Sequence, residues 1–370
     1  MSGLKASVQN ELNAFFPHLK NQADLCREVS GQAFSQARKK FSAVAFTLLN
    51  QRLLDLVQSN LSIPLWHGLR VVAGDASKVQ LFLQDATGRK LREAIAFGLY
   101  LPGVEMSLAF ELYSNRCCER QMLFEHLDKL SPDDLLVLDR GYPSCLLVAL
   151  LTQRGIQYCM RADSTGFGCV KAFLRSGHMQ QVVTIRAPKR RDCADFGCSR
   201  TATMVRLVRV ITPNKKEYVV MTSLLDSATF PVTSFQDLYH SRWRVEEAFK
   251  RIKHRLNLEH LSGITWLAAQ QDFGAKMLCD NLNAIAVYCA ADHIQESEAP
   301  TCYRINRTYA FAHLKRSLPR WLLSALPSVD QLVAVFDELA KNLIQFIKGG
   351  SKPRPKRPKP HKYPAYKPTQ

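Results

Sequence analysis

The sequence has no apolar run long enough to cross a bilayer. The most obvious, Cys145 to Leu151, falls far short of the roughly 20 residues a spanning helix needs. The first residues, Met-Ser-Gly-Leu-Lys-Ala-Ser, carry no signal-peptide core, so a soluble, cytoplasmic protein is expected. No Cys-x-x-Cys pair occurs among the 11 cysteines. The nearest spacings, Cys117 with Cys118 and Cys193 with Cys198, are not those of a zinc site, and free thiols are expected. Acids are scarce as well: 32 Asp plus Glu stand against 50 Lys plus Arg, a net charge of +18. Such an excess favours a polyanionic partner, nucleic acid before a membrane surface. Glycine and proline are absent from Gln236 to Ser262, which predicts one uninterrupted helix there.

At about 100° per residue, that helix gathers Tyr239, Arg242, Glu246 and Lys253 within a sector of about 60°. One ridge then carries an aromatic hydroxyl, a carboxylate and two cations. Leu238, Val245, Ala248, Phe249, Ile252 and Leu256 form a separate apolar stripe, as a core-facing side requires. The same periodicity also describes a solvated amphipathic helix in which Glu246 pairs with Lys250.

Residues 1–65 read as helices, interrupted by the basic Arg38-Lys39-Lys40. From Leu69 the pattern turns strand-like. Leu69 to Asp75 and Leu135 to Asp139 are apolar runs that each close on an acid. Strand candidates Ala94–Tyr100 and Met106–Tyr113, a helix over 119–130, a helix over 143–154 and a strand over 156–161 complete a first block, 66–161. Three strands, then helix, strand, helix, strand, is the order of a ribonuclease-H-like α/β layer fold. Residues 162–235 alternate as strands, with Lys189-Arg190-Arg191 in a loop. The predicted helix lies in a second core block, 236–300, followed by C-terminal helices over 301–348. The segment 349–370 has six prolines, seven Lys or Arg and no acid, the composition of a disordered basic tail.

The spacing Tyr-x2-Arg-x3-Glu-x6-Lys, met by Tyr239, Arg242, Glu246 and Lys253, resembles the signature of the bacterial DDE insertion-sequence transposases of the fourth insertion-sequence family. The resemblance implies a ribonuclease-H-like catalytic core interrupted by a mostly β insertion at 162–235, with an N-terminal DNA-binding domain at 1–65. It implies that Asp75, Asp139 and Glu246 are metal ligands and catalytic residues, holding two Mg²⁺ ions for which Mn²⁺ can substitute. Tyr239, Arg242 and Lys253 are then DNA-binding residues that grip phosphates. The loop of Lys189, Arg190 and Arg191 is a further DNA contact, with a solvated surface loop as the alternative. Tyr218 falls where some members carry a Trp that stacks on a flipped base, and an aromatic residue packing in a strand is the other reading. The partner is double-stranded DNA, both transposon end and target, and a homodimeric synaptic complex is expected, nucleoid-associated when on DNA. One departure is Ala76 after Asp75, where the family commonly has Gly. The alternatives are a ribonuclease-H-like nuclease without strand transfer, and a domesticated DNA-binding protein without turnover.

Overall fold

In the computed structural model, residues 7–20, 28–84, 90–212, 217–294, 303–323 and 326–345 are described. The basic tail at 349–370 lies outside them. The chain opens with helices α1 (Val8–Lys20), α2 (Gly31–Lys39) and α3 (Val44–Asn60), then strands β1 (Arg70–Gln84), β2 (Lys90–Leu101) and β3 (Met106–Ser114). Helix α4 (Glu119–Glu125), strand β4 (Asp134–Leu138), helix α5 (Cys145–Gln153) and strand β5 (Gln157–Ala162) follow. Next come α6 (Gly168–Ser176), β6 (Gln180–Ile185), α7 (Arg190–Phe196), β7 (Thr203–Ile211) and β8 (Glu217–Thr222). The C-terminal part holds α8 (Phe235–Ser241), α9 (Trp243–Arg255), α10 (Trp266–Ala291), β9 (Tyr303–Ile305), α11 (Arg307–Leu323), α12 (Val329–Lys341) and β10 (Leu343–Gln345).

Eight strands form one mixed sheet in the order β3-β2-β1-β4-β5-β8-β7-β6. Strand β4 is apolar throughout after Asp134 and fully buried, as a strand covered on both faces should be. It runs parallel to β1 and to β5. Arg70 grips the buried Asp134 through two bonds, of 2.6 and 2.9 Å, and so pins the register at one end of the β1–β4 pair. At the other end Gly74 packs closely on β4: a Cβ there would stand 2.8 Å from Leu138 Cδ2, and the leucine side chain would have to shift. The segment read from sequence as an inserted β region continues this sheet, because β8 pairs antiparallel with β5 and β7 with β8. Two buried arginines fix that extension. Arg206 donates to the carbonyls of Leu224, Asp226 and Phe230 and to the Gln180 amide oxygen. Arg209 donates to the carbonyls of His178, Phe173 and Leu174 and to Glu217.

The described residues divide into two compact units, one drawn from 7–50, 79–93 and 251–345, the other from 51–78 and 94–250. In the first, α1 packs on α11, and both α11 and α12 pack on α10. Arg38, one of the basic residues noted in sequence, is consumed internally: it donates to Gln271 (2.8 Å), the Ala268 carbonyl (3.1 Å) and Asp272 (3.0 Å). The predicted helix over 236–262 differs in two places. Bonds from the Arg242 amide to the Tyr239 carbonyl and from the Val245 amide to the Arg242 carbonyl tighten the turn between α8 and α9. The helix then ends at Arg255, because Asn257 turns left-handed (φ 47°) and Lys276 Nζ caps the carbonyls of Asn257 and His260. Its apolar stripe is buried as expected, from Leu238 through Leu256. Among the described residues, no helix is long and apolar enough to cross a membrane.

Candidate functional site

Strand register brings the first two acids together. The β1–β4 ladder ends with Ala73 opposite Val137, so Asp75 and Asp139 each follow two residues later, on neighbouring parallel strands and with the same facing. Tyr239, on α8, donates to Asp139 Oδ1 at 3.4 Å, and the Arg140 amide donates to the same oxygen at 2.6 Å. One turn on, Arg242 donates to Glu246 Oε1 at 2.6 Å and stands 3.9 Å from Asp75 Oδ2. Tyr239, Arg242, Glu246 and the two strand-end aspartates therefore converge, with the guanidinium between acids from opposite sides of the site.

The electrostatics follow from that crowding. Burial pushes the Asp75 carboxyl up to about 7; the Ala76 amide and Arg242 oppose the rise, while Glu246 and Asp139 add to it. Arg242 is itself buried, and its pKa is raised by Tyr239, Glu246 and Asp139 against the effect of burial. Its Nε and Nη1 have no hydrogen-bond partner among the described residues. Tyr142, which closes the Asp139-Arg-Gly-Tyr run, is also buried with an unpartnered hydroxyl, and it feels the charges of Asp75, Glu119 and Asp139. Glu119, at the start of α4, has its pKa raised by burial and by Asp139. Sequence reading passed over both residues. Tyr142 stood in plain view in the strand-end motif, whereas nothing in sequence marks Glu119 as near it.

Among the described residues, no three His, Cys, Asp or Glu side chains stand close enough together to hold a metal ion as they are. The donor chemistry nevertheless fits a hard cation. Three carboxylates with an elevated Asp75 pKa form an oxygen-donor set short of positive charge, and a hard divalent cation takes such ligands alongside water.

A family described as "Transposase DDE domain" matches residues 67–282. The chain belongs to this family. The match encloses Asp75, Asp139 and Glu246. No curated protein matches the chain. Among solved structures, the piggyBac transposase synaptic complex with hairpin DNA is similar at 11% identity and a TM-score of 0.44. The aligned region covers 76% of this chain, which spans 59% of the length of that one.

The other residues expected from the sequence to meet DNA are distributed differently in this family member. Tyr218, on β8, is half-buried, its ring 5.1 Å from that of Tyr239, with the Arg161 guanidinium 5.4 Å over it. Arg190 and Arg191 begin helix α7 and Lys189 precedes it, so the expected loop is a short helix; Arg191 lies 3.7 Å from Asp195 one turn on. That helix joins the two outermost strands on its side of the sheet, β6 and β7. Lys253, half-buried, follows Glu246 by two turns on α9 and belongs to the other compact unit.

Proposed function

We propose that this transposase cuts DNA at the ends of an insertion sequence and joins the freed 3′-OH ends to target DNA, with Asp75, Asp139 and Glu246 as the catalytic acids. The observation that carries the proposal is the convergence of those acids on Arg242: two strand-end aspartates in matched register, and a glutamate one turn along from the arginine. The strand order β3-β2-β1-β4-β5, with β1, β4 and β5 parallel, supports a ribonuclease-H-like core. The Tyr239, Arg242, Glu246, Lys253 spacing supports the fourth insertion-sequence family.

In this reading Asp75, Asp139 and Glu246 hold two Mg²⁺ ions, for which Mn²⁺ substitutes. When bound, the ions lower the pKa of an attacking water or 3′-OH and neutralise charge on the phosphate. The chain's own groups do the rest. Arg242, whose Nε and Nη1 hold no hydrogen bond, offers a bidentate grip to a phosphate once Nη2 is free, which requires its bond to Glu246 to loosen. Tyr239 orients Asp139 through its hydroxyl. Lys253 adds a positive charge further along the helix, and Lys189, Arg190 and Arg191 contact DNA away from the reacting phosphate. Tyr218 stacks on an extruded base, which requires its ring to part from Tyr239. The substrate is double-stranded DNA, and joining two ends calls for a homodimer.

The test is incubation of the purified protein with DNA carrying the repeats that flank its gene, with Mg²⁺, Mn²⁺ or EDTA. Metal-dependent nicking followed by joining is expected. Nicking without joining identifies a nuclease, and binding alone a protein without turnover; either result overturns the proposal.

A further inference from the structure

A tyrosine in a tightly packed interior differs from phenylalanine only by its hydroxyl, and a buried hydroxyl with no partner is a net cost to the fold. Tyr142 is such a case: the residue is 1% exposed, and its Oη has no hydrogen-bond partner among the described residues. Phenylalanine would fill the same volume without stranding a polar atom. The backbone aims the ring by a tight turn, in which the Tyr142 amide donates to the Asp139 carbonyl at 3.2 Å, so the residue is tied to the acid at the end of β4. Arg120, next to Glu119, secures the same turn by donating to the Gly141 carbonyl at 3.0 Å.

The turn ties Tyr142 to Asp139, and the strand register sets Asp75 beside Asp139, so both acids are candidate acceptors. After burial, the negative charges of Asp75, Glu119 and Asp139, in that order, push the Tyr142 pKa far above its ordinary value. A tyrosine hydroxyl set among carboxylates is the donor, because an ionised carboxylate only accepts. Asp139 Oδ1 already accepts from the Arg140 amide and from Tyr239. Asp75 is served by the Ala76 amide and by Arg242 at 3.9 Å, beyond hydrogen-bond reach. We infer that Tyr142 is a positioning residue whose O–H donates to the carboxylate of Asp75 and fixes its orientation when the site carries its cations. This rests on the reading of Asp75, Asp139 and Glu246 as a metal site. Residues that orient a metal ligand in this way typically change metal affinity by about 10- to 100-fold when removed.

The experiment is a Mn²⁺ titration of the full chain, followed by the electron paramagnetic resonance signal of the free ion, for wild type, Tyr142→Phe and Asp75→Asn, with thermal melts of each in EDTA. Tyr142→Phe should bind Mn²⁺ about 10- to 100-fold more weakly while melting at or above the wild-type temperature. Its cleavage activity should recover as Mn²⁺ is raised, which a structural defect would not permit. If Asp75→Asn loses Mn²⁺ while Tyr142→Phe keeps wild-type affinity, the positioning role is wrong and the metal site stands. A melting temperature lowered by several degrees in Tyr142→Phe assigns the hydroxyl to the fold and also overturns the role. Wild-type Mn²⁺ affinity in Asp75→Asn removes the metal site itself, and the inference with it.

Discussion

Buried arginines occur in two regions of this molecule and are treated in opposite ways. In the sheet extension, Arg206 spends its two terminal nitrogens on three carbonyls and an amide oxygen, and Arg209 uses all three side-chain nitrogens. At the site, Arg242 is also buried yet donates only to Glu246; its Nε and Nη1 have no hydrogen-bond partner among the described residues, although Nη1 stands 3.9 Å from Asp75 Oδ2. The first pair is a structural fastening, complete in the protein alone. The second is a buried cation aimed at a cluster of acids with donors to spare, the arrangement needed by a group that meets a charged ligand.

The contrast can be broken by substitution. Arg206→Ala should cost about 3 kcal/mol or more in folding stability, since it strands several inward carbonyls at once; chemical denaturation of the full chain measures it. Loss of under 1 kcal/mol would mean those carbonyls find other donors. The acids of the site should behave in the reverse sense. Asp75 has a folded pKa of about 7 against an ordinary 3.8, so the fold favours its protonated form. The stability this confers is fully present below about pH 4 and is lost as pH rises through 7. Asp75→Asn in EDTA should therefore leave stability nearly unchanged at pH 4 and raise it at pH 8, by about 4 kcal/mol at most. A destabilised variant at pH 8 would show that the carboxylate is structural. Smallest in stability should be Arg242→Gln, at about 1 kcal/mol or less, because its partner Glu246 is 38% exposed. Its cleavage rate should nonetheless fall about 100-fold or more, through loss of a preorganised donor. A stability loss as large as that of Arg206→Ala would erase the distinction.

The local part of the candidate site was legible in the sequence. An acid that closes an apolar strand and residues three and four apart on a helix are short-range patterns, and the family resemblance singled out Asp75, Asp139, Arg242 and Glu246 among them; that the two aspartates stand side by side depends on the β1–β4 pairing. What escaped depends on distant partners. Nothing in Glu217 to Thr222 announces that β8 will pair with β5 and turn an apparent insertion into part of the main sheet. The helix end at Arg255 depends on Lys276, some twenty residues away, and the engagement of Arg38 depends on Asp272. The strands β9 and β10 are three residues each, too short to show a period. The short helix at Arg190 follows Pro188, where a loop was the natural expectation.

The most direct test compares two adjacent acids on α9. Glu246 turns to Arg242, while Glu247 is 62% exposed and lies 3.7 Å from Arg244. Nicking at the gene's own flanking repeats, measured in Mg²⁺ for Glu246→Gln and Glu247→Gln side by side, should fall about 10³-fold or more in the first and stay within about twofold of wild type in the second. Wild-type nicking by Glu246→Gln, or equal loss in both variants, would contradict the assignment of the catalytic acids.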